Sequence, residues 1–113
     1  MKTIEQVQAL SEKEKALLNE AKAIIQGYLP TAEVLLYGSA ARGTHGPESD
    51  YDLLVLTDRT TSIEEEDQVR DALYDHQISQ DKLISTFFYA RDFWNEHPDM
   101  PFHQEVDRDA VHL

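Results

Sequence analysis

The sequence predicts an α/β (α+β) fold, a small mixed β-sheet packed with helices, and three observations carry that expectation. Short apolar runs with strand character, Glu33 to Tyr37, Asp50 to Thr57 and Lys82 to Ala90, alternate with longer stretches whose apolar residues recur at helical spacing. Capping and turn residues stand at the boundaries between them. The length of 113 residues, 41% of them hydrophobic, suffices to close one core and not two. A single domain over residues 1–113 is expected: an N-terminal helical segment (1–30), a central part (33–90), and C-terminal helices with room for an edge strand (91–113).

The elements follow in order. Leu17, Leu18, Ala21, Ile24, Ile25 and Tyr28 line one face of a helix, Ser11 with Glu14 forms a capping box at its start, and Gly27 and Pro30 stop it. Ile4, Val7 and Leu10 extend the apolar pattern backwards and allow an earlier beginning. Glu33 to Tyr37 reads as a buried strand, and the run GSAARG after it as a turn entering a helix. In DYDLLVLT, from Asp50 to Thr57, the unbroken apolar stretch is typical of an interior strand covered on both faces. Ser62 and Glu65 form a second capping box, opening a helix over Ile63 to Asp75. Lys82 to Ala90, rich in β-branched and aromatic residues, is a third strand. A short helix over Asp92 to His97, a helix beginning at Pro101 and a strand within Ala110 to Leu113 complete the chain.

Charge narrows the function. Twenty-two acidic against 10 basic residues leave a net charge of -12, which repels a phosphate backbone, so broad nucleic-acid binding is not expected. A polyanion such as a nucleoside triphosphate would need local devices: backbone amides, one or two arginines and a divalent cation. With no cysteine, neither disulfides nor thiolate zinc sites can form, and the five histidines lack paired metal-binding spacing. No run approaches the ~20 apolar residues that span a bilayer, and the first residues have no signal-like apolar stretch, so a soluble cytoplasmic protein is the default reading.

Two features carry chemistry together. A Gly38-Ser39 turn leads from a strand into a helix, and ten residues separate Ser39 from the Asp50-Tyr51-Asp52 triplet that starts the next strand. Strand alternation puts Asp50 and Asp52 on one side, with Tyr51 and Leu53 on the other, and two such carboxylates suit one hard cation. The plainer account has Asp50 capping a turn and Asp52 solvated on an edge strand. Ser39 can be an N-cap, and the first amides of its helix can meet phosphate, with Gly38 permitting close approach. Arg42 can clamp a phosphate or pair with an aspartate, and Ser49 can touch phosphate or cap the strand. His45, in the intervening loop, is expected to be an exposed loop residue. The aromatic cluster Phe87, Phe88, Tyr89, Phe93 and Trp94 is assigned to core or interface rather than to base stacking.

The run GSAARGTHGPESDYDLLVL resembles the signature of the polymerase-beta-like nucleotidyltransferase superfamily, in its minimal nucleotidyltransferase (MNT) branch. The match includes the Gly-Ser pair, the spacing, the Asp-x-Asp, the Arg42-Gly43 pair and Ser49-Asp50, and the tail PFHQEVDRDAVHL is similar to the closing helix and strand of bacterial members. The resemblance implies that Gly38 and Ser39 hold the triphosphate of ATP or another NTP. It implies that Asp50 and Asp52 bind Mg²⁺ (or Mn²⁺), and that a nucleoside monophosphate, commonly AMP, passes to an acceptor hydroxyl. It also implies an antitoxin-like role beside a helical HEPN-type protein. Fuller members carry a third carboxylate on the strand equivalent to KLISTFFYA, where alignment on Trp94 places Ser85 in this chain. Asp81, the nearest acid, lies about 13 Å earlier along an extended strand. Either the acceptor or a partner supplies the missing group, or two aspartates suffice at a modest rate, or the chain binds nucleotide without transferring it.

Overall fold

The computed structural model describes residues 1–46 and 50–113. In chain order the elements are β1 (Lys2–Thr3), a 3₁₀ turn (Ile4–Gln6), α1 (Glu12–Tyr28), β2 (Glu33–Tyr37), α2 (Ser39–Arg42) and β3 (Tyr51–Thr57). Then come α3 (Ile63–Gln80), β4 (Ile84–Ala90), α4 (Arg91–Glu96), α5 (Pro101–Asp109) and β5 (Val111–His112). The strands form one mixed sheet in the order β1-β5-β2-β3-β4. Antiparallel pairing joins β2 to β3 and to β5, whereas β3–β4 and β1–β5 are parallel. The expected α/β layer of helices on a small mixed sheet is what forms.

Strand alternation sorts the core onto two faces. Val34 and Leu36 of β2 and Tyr51, Leu53 and Val55 of β3 pack with Leu18, Ala21 and Ile25 of α1 and Val69 and Leu73 of α3. On the other face, Leu35, Tyr37, Leu54 and Leu56 meet Trp94 of α4 and Val106 of α5. Strand β3, covered on both faces and flanked by β2 and β4, is interior, which excludes the edge-strand account of Asp52. The aromatic cluster divides: Trp94 is buried in the second core, whereas Phe87 and Phe93 are exposed. No helix of the described residues is long and apolar enough to cross a membrane.

The structure decides one open alternative, the start of α1, and departs from the sequence expectation at the end of α3, the start of β4 and the place of the last strand, each for a physical reason. Ile4, Val7 and Leu10 are buried, but at a spacing of three they follow successive tight turns, with Val7 N–H on Ile4 O and Leu10 N–H on Val7 O, so α1 begins only at Glu12. Helix α3 runs past Asp75 to Gln80 because a histidine takes the inward position of its last turns: His76 is buried and its Nε2 lies 3.1 Å from the Leu17 carbonyl. Asp81, in the left-handed region at φ 52°, closes that helix, and the Lys82 amide is spent on Gln77 O, so β4 starts at Ile84 rather than at Lys82. The C-terminal strand is not an edge: β5 lies between β2 and β1, because Lys2 and Thr3 pair with it from the far end of the chain. Glu33 of β2 ties β5 to the first residue of α4 by binding His112 at 3.1 Å and Arg91 at 2.8 Å.

Candidate active site

The antiparallel register sets Tyr37 opposite Asp52, so the turn leaving β2 meets the first residues of β3. Gly38 holds φ 79°, ψ -159°, a conformation that only glycine adopts readily. A Cβ on Gly38 would lie 2.5 Å from Oδ2 and 3.4 Å from Cγ of Asp52, so the bare backbone here is what lets the carboxylate sit against the turn. Gly38 is itself the N-cap of α2 and Ser39 the first helical residue, so the serine does not take the expected N-cap role. Helix α2 is a single turn whose initial amides have no intrahelical acceptor.

Asp52 is half-buried and Asp50, just before β3, is exposed. Burial raises the Asp52 carboxyl above its ordinary value, the negative charges of Asp50 and Glu105 raise it further, and Arg42 opposes them. This is a local excess of negative charge: two acidic neighbours of Asp52 outweigh one arginine. Arg42 donates from Nη1 to Asp109 Oδ2 at 2.8 Å, so of its two expected roles it takes the pairing with an aspartate, one on α5. Glu105, also on α5, is an acidic neighbour that sequence reasoning missed. Its charge also helps to raise the Tyr37 hydroxyl, although burial is the larger cause. Among the described residues no group of three or more His, Cys, Asp or Glu is close enough to hold a metal ion, and the effect of Glu105 on Asp52 is coulombic.

Ser85 stands directly beside Asp52 in the parallel β3–β4 register. Both line a cleft of about 540 Å³ that opens towards Tyr74 and Phe87. Ser49 lies outside the described residues.

On the opposite face a second polar group ties His45 and Tyr51 to α1. Glu14 accepts the Ser11 amide at Oε1, as the capping box requires, while its Oε2 receives the Tyr51 hydroxyl at 2.7 Å and lies 2.7 Å from His45 Nε2. Burial works to raise the Glu14 carboxyl, but the hydrogen bonds of Ser11, Tyr51 and His45 prevail and hold it below the usual range. His45 is therefore not the expected exposed loop residue: its side chain is 11% exposed and faces away from Asp52. One carboxylate on α1 thus fixes residues on both sides of Asp50. The capping-box spacing was the only sequence signal for Glu14, and it gave no hint of the two further partners.

The sequence model of the nucleotidyltransferase domain family matches residues 14–100, from Glu14 through the Gly-Ser turn, both aspartates and Trp94. The chain belongs to that family. A Methanocaldococcus jannaschii protein named "Putative protein adenylyltransferase" is 33% identical to this nucleotidyltransferase domain over 58 residues. The aligned stretch is 51% of this chain and 59% of that relative's length. Among solved structures, a crystal structure of a toxin-antitoxin with AMP-PNP superposes with a TM-score of 0.59 at 17% identity, over 83% of this chain and 69% of that one, a likeness of fold.

Proposed function

We propose that this nucleotidyltransferase domain transfers a nucleoside monophosphate, AMP from ATP, to a hydroxyl of a protein or small-molecule acceptor, with Asp50 and Asp52 holding Mg²⁺ or Mn²⁺. The observation that carries the reading is the Asp52 carboxylate set against the side-chain-free Gly38 turn, with the negative charge of Asp50 added at the same point. Two oxygen-donor carboxylates in a field of excess negative charge fit a hard dication. When bound, the cation would neutralise charge on the triphosphate and draw its oxygens to the aspartates. Gly38 and Ser39 would meet the phosphates through the first amides of α2. Arg42, already close enough to offset the Asp52 charge, would add a positive group to the same side.

The acceptor oxygen bonds to the α-phosphorus as pyrophosphate leaves, and the hydroxyl proton needs a base. Ser85 beside Asp52 is a poor one, so the acceptor or a partner protein supplies it. A relative named as a protein adenylyltransferase and a neighbour of like fold solved as a toxin-antitoxin with AMP-PNP support a protein acceptor and an antitoxin-like role; a helical HEPN-type protein is the partner the motif suggests. Transfer of label from [α-³²P]ATP to candidate acceptors tests the reading. Labelled product with wild type and none with Asp50→Ala is expected, and no product, or equal product from both, overturns it.

A second reading, a module that binds nucleotide and docks on a partner without transfer, is favoured by serine rather than a carboxylate beside Asp52. If Asp50→Ala and Asp52→Ala abolish neutralisation of the partner while the complex survives, catalysis is required. Persistent neutralisation means that docking suffices.

A further inference from the structure

The two edges of the sheet are unlike. One ends in β1, two residues long; the other in β4, seven residues long. Exposed edges are normally blunted by charge, proline, bulges or shortness, because their unpaired backbone groups recruit other strands. The β4 sequence ISTFFYA has no charge and no proline, in a chain that is 28% charged. Apolar side chains flank this edge on both faces of the sheet. Tyr74 and Ile78, one turn apart on α3, are 61% and 62% exposed, and on the other face Phe87 lies 5.3 Å from the Phe102 ring and is 48% exposed. Leu83, preceding β4, is also exposed. The cleft that contains Asp52 and Ser85 wraps around this edge to Tyr74 and Phe87.

An added strand directs alternate side chains to opposite faces, and here both faces offer apolar cover. We infer that the open edge of β4 is a docking site for an extended segment of a partner protein, which adds as a sixth strand and brings a hydroxyl-bearing residue alongside Ser85 to Asp52. The inference rests on the transferase reading for the purpose of docking, not for its geometry.

Charge selects a partner over a second copy. The neighbouring helix carries Glu64, Glu65, Glu66, Asp67, Asp71 and Asp75, and Arg70 already pairs with Glu66 and Asp67. Edge-to-edge pairing of two copies would set two such helices side by side, each on a chain of net charge -12, and would cover both Asp52 sites. A segment of neutral, apolar-alternating sequence flanked by lysine or arginine meets the strip and the acidic helix at once.

Selection from a displayed library of short random peptides against the full chain supplies the probe. Enriched peptides should alternate apolar residues between basic ends and shift the amide resonances of residues 84–90. They should bind roughly tenfold more weakly to Leu83→Lys or Tyr74→Lys, while Mg·ATP binding is unchanged in Leu83→Lys, which lies outside the Asp52 cleft. Methylating alternate backbone nitrogens of the peptide should abolish binding. No enrichment, peptides that map elsewhere, or indifference to both substitutions and to N-methylation overturns the inference. So does a concentration-dependent dimer dispersed by Leu83→Lys, which would give the edge to a second copy. Peptides that dock here yet accept no label from ATP leave the docking intact and count against transfer; an acceptor labelled equally by wild type and Leu83→Lys does the reverse.

Discussion

Replacing Gly38 by alanine isolates the contact on which the site depends. The added methyl would lie 2.5 Å from Asp52 Oδ2, where ordinary contact begins at 3.4 Å, so the carboxylate must retreat by roughly 0.9 Å or the turn must move. Alanine at φ 79° also carries backbone strain of about 1–3 kcal/mol. The expected result is a loss of about 1–3 kcal/mol in urea unfolding. Transfer should fall about a hundredfold, the usual consequence of a 1 Å misplacement at a reacting centre. Gly27→Ala is the control: nothing lies within 4 Å of its Cβ inside α1, so it should stabilise by about 0.5–1 kcal/mol and leave transfer unchanged. Unfolding curves and calorimetric titration with Mg·ATP on both variants give the answer. Wild-type stability and affinity in Gly38→Ala would refute the proposed closeness of turn and carboxylate.

Three other perturbations have defined signs. Because the folded protein raises the Asp52 carboxyl, its ionisation costs stability as pH rises from the unfolded value of 3.8 through the folded one, so Asp52→Asn should be more stable than wild type at neutral pH without metal. Removing the buried charge, and with it the repulsion from Asp50 and Glu105, should raise stability by about 1 kcal/mol in thermal unfolding after solvent screening, together with loss of transfer. Removing the Glu105 charge by Glu105→Gln lowers the Asp52 carboxyl, so metal-dependent nucleotide binding, followed by calorimetry against pH, should persist to more acidic solution than in wild type. Glu14 is held low, so its contribution is full above the unfolded value of 4.5 and is lost as pH falls through the folded one. Glu14→Gln should cost about 1–3 kcal/mol at neutral pH and loosen His45 and Tyr51, read as faster amide exchange at Tyr51.

The sequence was most legible where local pattern and tertiary role coincide. Glu33–Tyr37 forms a strand at the expected residues because Pro30 and Gly38 bound a run whose residues from Val34 to Tyr37 are apolar, and the two capping boxes close with the expected Ser and Glu partners. Strand β1 left no local signal, since two residues gain strand geometry only by pairing with Val111 and His112, over a hundred positions away. The end of α3 was hidden because a buried histidine and a left-handed aspartate do the work usually given to an apolar residue and a glycine. At the site, spacing alone indicated that Gly38 and Asp52 belong together, and the cross-strand register brings them into contact. Glu105 and Glu14 could not be found that way. Each reaches its partners from a helix distant in sequence, so their effects exist only once the sheet and both helix layers have assembled.

The central claim is that Asp50 and Asp52 together hold a divalent cation at the Gly38 turn. Electron paramagnetic titration of Mn²⁺ in the presence of a non-hydrolysable ATP analogue tests it without requiring turnover. Nucleotide-dependent Mn²⁺ binding by wild type, lost in Asp50→Asn and in Asp52→Asn while both remain folded, is the predicted result. Undiminished binding in the folded variants would contradict it.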